Sequence, residues 1–351
     1  MGLHNWVRRR FLRAKRRGAA DAGASGQWLA GIFNEPRASS FRLPRQRDLA
    51  YRLYLPAGIG TSERLPLLVM LHGCTQTAVE FADGTRMNAE AEKRHCAVLY
   101  PEQSKKSNSL RCWNWFEPDS LLGHGEAALL VLAVRHVMDH YPIDTARVYV
   151  AGFSAGGAMG AVLCATHGEH LFAACAIHSG VMFHAATTPL QALQVMSRGA
   201  GTSLNELTQK IASQRLPGSR LVPTLIIQGT DDQTVNPLNA AQIAEQMRLL
   251  AQRLHPASDP LIIREERWIE SGGRRYRQQD TTLGPAVLIR SIVIDGLGHE
   301  WSGGAAHHMF FDAAGPDASR LVLEFLWQHR LAADTGADTT PSSSIGPMLR
   351  S

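Results

Sequence analysis

The sequence predicts an α/β fold with a mostly parallel sheet that is covered by helices on both faces. Short apolar runs recur along the chain, segments of helical periodicity separate them, and a glycine-rich strand–turn–helix pattern lies near the middle. Strands that alternate with helices form parallel sheets, because each crossover helix returns the chain to the same edge. Ligands of such sheets bind at the carboxyl ends of the strands, so we expect the functional residues in the loops that follow strands.

The strands follow from the pattern of the apolar residues. Strict alternation over 49–55 predicts a strand with one buried face, and continuous apolar runs predict strands that are covered on both faces. Arginine-rich alternating stretches between 261 and 293 indicate antiparallel strands around two glycine turns. The predicted strands are 49–55, 65–71, 96–100, 148–151, 173–177, 222–228 and 288–294.

Helices are predicted between these strands, where apolar residues recur at a spacing of three or four. Pro142 ends the most regular of them. The predicted helices are 78–94, broken around Gly84, then 126–141, a helix that begins at 155, and finally 238–254 and 317–328.

The 351-residue chain is predicted to form one large domain between two tails. Residues 1–40 are interpreted as a basic, flexible tail, and residues 41–330 as the folded domain. An insertion at about 181–221, partly helical, is expected to lie over the strand ends. Residues 331–351 are small, polar and rich in Pro and Ser, so we expect a disordered C-terminal tail.

The net charge of +5, from 36 basic and 31 acidic residues, originates in the first tail. Removing the seven basic residues of 1–20 leaves about −2 for the rest of the chain. The body is therefore not a basic nucleic-acid reader, and we expect no nucleic-acid partner. Residues 1–20 are compatible with weak contact to an anionic surface, although we favour a solvated, frayed terminus.

Hydrophobic patterning excludes two kinds of segment. No run of about 18 apolar residues occurs, so we expect no transmembrane helix. The basic residues near the start are not followed by an apolar stretch, so we expect no standard secretory signal.

A candidate nucleophile lies in the segment 152–156, Gly-Phe-Ser-Ala-Gly, which fits the pattern G-x-S-x-G. The preceding apolar run predicts a strand and the following small residues open a helix, which is the context that this motif requires. The glycines let the helix and the strand approach closely, and the turn exposes the serine hydroxyl above the sheet. We therefore predict Ser154 as a nucleophile.

A serine hydroxyl needs a neutral imidazole as a base, and the imidazole needs a carboxylate that orients it. The strand 222–228 runs into a turn that contains Asp231 and Asp232, and the local residues do not choose between them. The last strand runs into a glycine-rich loop that contains His299, the expected base. The chain order Ser, Asp, His is the one that this strand–turn–helix motif predicts.

The reaction also needs two N–H groups that stabilise a developing oxyanion. One is expected from Ala155, directly after the nucleophile, and the second from the loop 72–74, where we predict the N–H of Cys74. The pair His307 and His308 suggests a metal site, but no matching carboxylate pattern supports it. We therefore predict no metal and no cofactor.

Five cysteines are too few, and odd in number, for a disulfide framework. None has the spacing of zinc ligands, although one pair could form a bridge in an exported protein. They are Cys74, Cys96, Cys112, Cys164 and Cys175.

Six short motifs occur in the order found in a known family. They are LHGCTQ at 71–76, YPEQ at 100–103, RCWNWF at 111–116, GFSAGG at 152–157, GTDD at 229–232 and GHEW at 298–301. Together they resemble the polyhydroxybutyrate depolymerase family of esterases, which is itself similar to feruloyl and acetylxylan esterases. The resemblance spans about residues 45–328 and implies an α/β-hydrolase fold and hydrolysis of carboxylic esters.

The resemblance also implies roles for individual residues. Its Gly-Thr-x-Asp turn places the acid at Asp232, and it assigns Ser154 and His299 as nucleophile and base. It places Cys74 at the oxyanion site and implies a disulfide between Cys74 and Cys112.

Three tryptophans are predicted to contact the substrate. The resemblance points to Trp113 and Trp115, and Trp301 is predicted together with them. For Trp113 and Trp115 the alternative is packing in the core, and we expect at least one of them to have only that role.

The function implied is a serine esterase that acts on hydroxybutyrate oligomers, other polyhydroxyalkanoate oligomers or similar short-chain esters. A feruloyl or acetylxylan esterase is one alternative, and a granule- or membrane-surface binding protein that uses the basic tail is another. Secreted depolymerases have a signal peptide and a C-terminal polymer-adsorbing domain, which are not recognisable here, so soluble or amorphous substrates are expected. The resemblance suggests an extracellular protein, whereas the lack of a signal leaves a cytoplasmic location open, and the oligomeric state is left open too.

Overall fold

The computed structural model describes residues 25–35, 48–256, 260–264 and 266–332. The strands of this part are β1 (Gln27–Asn34), β2 (Asp48–Leu55), β3 (Leu65–Leu71), β4 (Ala97–Glu102), β5 (Ile143–Phe153), β6 (Ala174–His178), β7 (Thr224–Gly229), β8 (Ile262–Ile263), β9 (Arg267–Ser271), β10 (Arg274–Leu283), β11 (Ala286–Ile294), β12 (Trp301–Ser302) and β13 (Phe311–Asp312). The helices are α1 (Ala78–Thr85), α2 (Met87–Lys93), α3 (Pro118–Leu121), α4 (Gly125–His140), α5 (Ala155–Leu171), α6 (Pro189–Arg198), α7 (Leu204–Ala212), α8 (Leu238–Leu254) and α9 (Ala318–Leu326).

Eleven strands of the described residues form one sheet in the order β1-β2-β4-β3-β5-β6-β7-β11-β10-β8, with β9 paired to β10. The central strands, from β4 to β11 in that order, are mutually parallel. The strands at both ends of the sheet pair antiparallel. This is an α/β-hydrolase fold, and the predicted fold class is confirmed.

A hydrophobic core lies on each face of the sheet. Helices α1, α2 and α9 contribute to one core, whereas α4 to α8 contribute to the other. Every residue of β3 and of β7 is buried, because these strands are covered on both sides. The carboxyl ends of β3, β5, β7 and β11 therefore lie along one edge, with their positions fixed by packing on both faces.

The prediction of a flexible tail over residues 1–40 is wrong for residues 27–34, which form a strand. Strand β1 pairs antiparallel with β2 along its whole length, from Gln27 opposite Leu55 to Asn34 opposite Asp48. It forms the edge of the sheet, and Phe33 is its one buried side chain. Because only one side chain is buried, the alternation of apolar and polar residues is weak, and the strand could not be predicted from it. Residues 1–24, 36–40 and 333–351, where the remaining parts of the two tails were expected, lie outside the described residues.

The insertion at 181–221 contains α6 and α7, which both contact α8. The helix expected over 78–94 is interrupted at Arg86, whose φ of 54° separates α1 from α2. Among the helices of the described residues, none has the length and apolar character needed to cross a membrane.

Candidate active site

Ser154 lies in the sharp turn between β5 and α5, with φ of 56° and ψ of −120°. Residues other than glycine rarely adopt this backbone conformation. The N–H of Ser154 donates to the carbonyl of His178 at 2.9 Å. A Cβ at Gly156 would lie 2.0 Å from the Leu71 carbonyl oxygen, and one at Gly152 would lie 2.2 Å from the Gly156 carbonyl oxygen. Both glycines of the motif are therefore required by the close approach of α5 to the strands.

His299 connects the ends of three parallel strands. Its Nε2 lies 2.9 Å from Ser154 Oγ, and its Nδ1 lies 2.8 Å from Asp232 Oδ2. Ser154 follows β5, Asp232 follows β7 and His299 follows β11, so side chains 145 and 67 residues apart meet at one edge. The Phe153 ring packs against the imidazole with 4.8 Å between the ring centroids. The structure thus brings together the three side chains that were predicted to act as nucleophile, base and acid.

The Asp232 carboxylate is buried and held by several donors. Its Oδ1 accepts the N–H groups of Thr234 at 2.9 Å and Val235 at 2.8 Å. Its Oδ2 accepts Gln228 Nε2 at 3.0 Å in addition to His299. Asp231, by contrast, is exposed and accepts the hydroxyl of the preceding Thr230. The fold therefore directs one of the two adjacent carboxylates to the imidazole and the other to solvent.

These donors decide the ionisation of Asp232. Burial alone would raise the pKa of this carboxyl, but the hydrogen bonds from His299, Val235 and Thr234 outweigh it and hold the pKa below its usual value. Asp232 is therefore a carboxylate at neutral pH. A fixed negative charge beside Nδ1 orients the imidazole and stabilises its protonated form.

The N–H groups proposed for the oxyanion lie at the ends of adjacent strands. In the register of β3 and β5, Leu71 pairs with Gly152, which places the loop after β3 beside the serine turn. The N–H of Gly73 donates to Gln76 Oε1 at 2.8 Å and that of Thr75 donates to the Leu110 carbonyl at 2.6 Å.

Between those two donors, the N–H of Cys74 makes no hydrogen bond to another described residue, and the same holds for Ala155 at the start of α5. Two backbone donors are therefore available beside Ser154. The Cys74 thiol forms the implied disulfide with Cys112, which ties this loop to the segment before α3.

Comparison with known proteins identifies the family of the chain. A family model described as Esterase PHB depolymerase matches residues 49–258, which is well over half of the chain. The chain belongs to this family.

Individual relatives support the same assignment. Poly(3-hydroxyalkanoate) depolymerase C of Paucimonas lemoignei is 34% identical over 195 residues, covering 55% of this chain and 46% of that protein. Feruloyl esterase B of Thermothelomyces thermophilus is 30% identical over 202 residues, covering 55% of this chain and 67% of that protein. A poly(3-hydroxybutyrate) depolymerase of Ralstonia pickettii is 26% identical over 85% of this chain and 62% of that protein. The chain spans between 46% and 67% of the length of these three relatives.

Among solved structures, the acetyl xylan esterase of Aspergillus awamori is similar with a TM-score of 0.62 and 21% identity. The alignment covers 80% of this chain and 94% of that one. At this identity the similarity shows a shared fold.

The three tryptophans predicted as substrate contacts lie in the interior. Trp113 and Trp301 are each 1% exposed and Trp115 is 4% exposed. Trp113 Nε1 donates to the His72 carbonyl at 3.1 Å, and Trp115 packs edge-on against Phe116. Trp301 Nε1 donates to a serine hydroxyl of α9, and its ring stacks on His178 with 5.0 Å between centroids. The rings act as buried packing and hydrogen-bonding groups, which favours the core alternative for Trp113 and Trp115, and contact of the three rings with a substrate stays a prediction.

Two buried histidines beside this site were not predicted from the sequence. His72 Nδ1 lies 2.7 Å from the Gly73 carbonyl and its Nε2 accepts the Gln103 N–H at 3.1 Å, which fixes a neutral tautomer. Burial lowers the pKa of His72 to about 4. Burial and the nearby His299 lower the pKa of His178 to about 3. His72 directly follows apolar strand β3, and His178 ends apolar strand β6. This position at a strand end is the sequence signal that could have identified them.

Glu126 lies in the first turn of α4, and its buried carboxylate accepts three hydrogen bonds. It accepts Gln103 Nε2 at 2.7 Å, the Asn114 N–H at 2.8 Å and Asn114 Nδ2 at 2.7 Å. Burial raises the pKa of this carboxyl against those three donors. Glu126 therefore fixes the segment that carries Cys112 and Trp113, and through the disulfide the loop of Cys74.

Proposed function

We propose that this member of the family is a serine carboxylic-ester hydrolase. The observation that carries the proposal is the continuous hydrogen-bond chain from Ser154 Oγ through His299 to Asp232. A serine in a strained turn, a base at 2.9 Å and an ionised acid behind the base are the elements of nucleophilic acyl transfer.

In the first half of the reaction, Ser154 Oγ attacks the ester carbonyl carbon while His299 Nε2 takes the hydroxyl proton. The carbonyl oxygen gains the negative charge, and the N–H groups of Ala155 and Cys74 donate to it. When the tetrahedral intermediate collapses, the carbon–oxygen bond to the alcohol breaks and His299 donates its proton to the leaving oxygen. An acyl ester on Ser154 remains.

In the second half, water replaces the alcohol. His299 removes a proton from water, the hydroxide attacks the acyl carbon, and the same two N–H groups stabilise the second oxyanion. Collapse of this intermediate breaks the bond to Ser154 Oγ, which takes back the proton from His299. Asp232 stays ionised throughout, because its donors hold its pKa low.

For the substrate, we propose hydroxybutyrate oligomers and similar short-chain esters. The support is the naming of two relatives as poly(3-hydroxyalkanoate) and poly(3-hydroxybutyrate) depolymerases, the second of which aligns with 85% of this chain. Feruloyl and acetylxylan esters are the second candidates, because a feruloyl esterase and probable acetylxylan esterases match at 30% identity. Weak contact of residues 1–20 with an anionic surface stays a prediction, since those residues lie outside the described part.

The decisive test is Ser154→Ala, assayed by hydrolysis of p-nitrophenyl butyrate. Loss of the nucleophile should lower kcat by a factor on the order of 10⁵ or more. Circular dichroism and the thermal midpoint should match the wild type, because the side chain loses one oxygen atom. Retained activity in purified Ser154→Ala protein would contradict the proposed chemistry.

A substrate panel then separates the candidate esters. Initial rates would be compared for hydroxybutyrate oligomers, p-nitrophenyl butyrate, methyl ferulate and acetylated xylan, with Ser154→Ala protein as the blank for each. The highest kcat/KM is expected for the hydroxybutyrate oligomers. A higher value for methyl ferulate or acetylated xylan would assign the specificity to the second candidates while leaving the serine mechanism intact.

A further inference from the structure

A second group of imidazoles and a carboxylate lies at the surface, outside the triad. Asp83 is in the last turn of α1, and His307 and His308 lie between β12 and β13. His307 Nε2 is 3.1 Å and His308 Nε2 is 2.6 Å from Asp83 Oδ2. One nitrogen of each imidazole and a carboxylate oxygen all lie within 4.8 Å of one another. These three residues are called the surface cluster below.

We propose that the surface cluster is a binding site for a divalent first-row transition-metal cation such as Zn²⁺. Two imidazoles and one carboxylate are a donor set that such cations accept, with water in a remaining position. The histidine pair alone gives no metal pattern in the sequence, because the third ligand lies 224 residues before His307. The fold supplies the carboxylate that the sequence pattern lacks.

The distances fit the proposed coordination. Zinc binds imidazole nitrogen at about 2.0–2.1 Å, which sets its ligand atoms about 3.3 Å apart in a tetrahedron. The nitrogen–oxygen distances of 3.1 and 2.6 Å are close to that value, so small side-chain rotations suffice. On binding, each imidazole presents the lone pair of Nε2 to the cation, so its ring proton is carried on Nδ1. The His307 side chain is 67% exposed, which leaves an open path for the ion.

The backbone that carries the surface cluster is held by contacts that need no metal. The N–H of Ala305 donates to the Gly84 carbonyl at 2.8 Å, and that of His308 donates to the Ala305 carbonyl at 3.1 Å. A Cβ at Gly84 would lie 2.2 Å from the Phe311 ring, so this segment packs directly on the end of α1. The ligands are therefore gathered before a cation arrives, which lowers the entropic cost of binding.

A cation at this position would connect two segments of the active site. Helix α1 begins three residues after Thr75, in the loop that follows Cys74, and β12 begins two residues after His299. Binding to the folded protein but not to the unfolded chain stabilises the folded state in proportion to the logarithm of the ion concentration. The proposed cation thus stabilises the fold where the Cys74 loop and the His299 loop meet α1.

The test uses the full chain without an affinity tag, dialysed against a chelator and then against metal-free buffer. Titration calorimetry with ZnCl₂ should show one saturable site, and Co²⁺ should give the visible absorption bands of a tetrahedral nitrogen–oxygen site. Saturating Zn²⁺ should raise the thermal midpoint by about 3 °C or more. Each of Asp83→Asn, His307→Gln and His308→Gln should weaken binding at least tenfold and abolish that rise.

The matched control is the double variant His136→Gln with His140→Gln. These two imidazoles lie on α4 with 4.1 Å between ring centroids, and among the described residues no carboxylate completes a three-ligand group with them. This variant should bind zinc with the wild-type affinity and stoichiometry.

His307→Gln separates loss of binding from misfolding, because its exposed side chain can be replaced without disturbing the fold. The thermal midpoint of this variant without metal should equal that of the wild type. The proposal is overturned if the wild type shows no saturable binding up to low-millimolar zinc. It is equally overturned if the variants of the surface cluster bind as the wild type does, or if binding is lost in the α4 double variant instead.

Discussion

Two groups of the same residue types, carboxylate and imidazole, differ in this molecule by their burial. The Asp232 side chain is fully buried and that of His299 is 10% exposed, whereas Asp83 is 24% and His307 is 67% exposed. In the buried group one imidazole lies between the carboxylate and a serine hydroxyl. In the surface cluster two imidazoles converge on one carboxylate oxygen and none contacts a nucleophile.

This contrast in burial shows what makes such a group suited to acid–base chemistry. Around Asp232, protein donors replace water on both oxygens, so the carboxylate keeps its charge and its position in a site that excludes solvent. The surface cluster leaves room for solvent and offers its nitrogen atoms to one point in space. Burial and the supply of donors thus separate a base that moves protons from a set of ligands that would hold a cation.

The largest expected effect that tests this comparison is that of Asp232→Asn. Loss of the charge and of the imposed tautomer should lower kcat for p-nitrophenyl butyrate by about 10⁴-fold. The matched control is Asp231→Asn in the adjacent exposed position, which should stay within about twofold of the wild type. Equal losses in the two variants would show that the buried position has no special role.

The buried histidines give the next largest effect, on stability against pH. His72 and His178 remain neutral when folded, with pKa values of about 4 and about 3, whereas an unfolded histidine has a pKa of about 6.5. Below pH 6.5 the unfolded chain therefore binds protons that the folded protein does not. For each histidine the free energy of unfolding should fall with a slope that approaches about 1.4 kcal/mol per pH unit well below pH 6.5, which gives about 3 kcal/mol for the two between pH 6.5 and 5.

Denaturant unfolding at pH 7, 6 and 5 measures this slope. Between pH 6 and 5, His72→Gln should reduce it by about 1 kcal/mol per pH unit, because one buried histidine no longer titrates. Asp232 does not contribute in this window. Its pKa is lowered in the folded state, so its stabilising effect is present above the unfolded value and lost only as the pH falls through the folded one. An unchanged slope in His72→Gln protein would show that His72 is not a neutral buried group.

A smaller effect is expected from Gln228→Leu, which removes one donor from Asp232. A hydrogen bond to a charged group contributes about 1.5 kcal/mol, so kcat should fall roughly tenfold. KM should be unchanged, since Gln228 contacts Asp232 and the backbone and positions the acid rather than binding substrate. Gln233→Leu, an exposed glutamine of the same turn, is the control. A rise in KM at constant kcat would assign Gln228 to substrate binding instead.

The smallest effect is expected for Asp83→Asn in the presence of a chelator. Ion pairs as exposed as those of the surface cluster contribute less than about 1 kcal/mol, so the free energy of unfolding should change by no more than that. Denaturant unfolding at pH 7 provides the comparison with the wild type. A loss of several kcal/mol would mean that the surface cluster is essential to the folded state without any metal.

Local features of the sequence were sufficient for much of the fold. Continuous apolar runs predicted β3 with its observed bounds, and helical spacing predicted α8 with its observed bounds. The turn at Ser154 was predictable because its requirement is local, a residue held at a strained φ between glycines that allow a close approach. The loops that carry Asp232 and His299 were predictable because parallel strands end at a common edge.

Other features depend on contacts between distant segments, and these only the tertiary structure decided. Local residues left Asp231 and Asp232 equivalent until the turn buried one and exposed the other. Edge strand β1 depends on its pairing with β2. The residues next to each tryptophan in the sequence do not indicate whether its ring is buried. Asp83 meets His308 across 225 residues of chain. Hydrophobic pattern and backbone conformation depend on a few consecutive residues, and the sequence therefore shows them directly. Contacts between distant polar side chains depend on how the whole sheet and its helices pack.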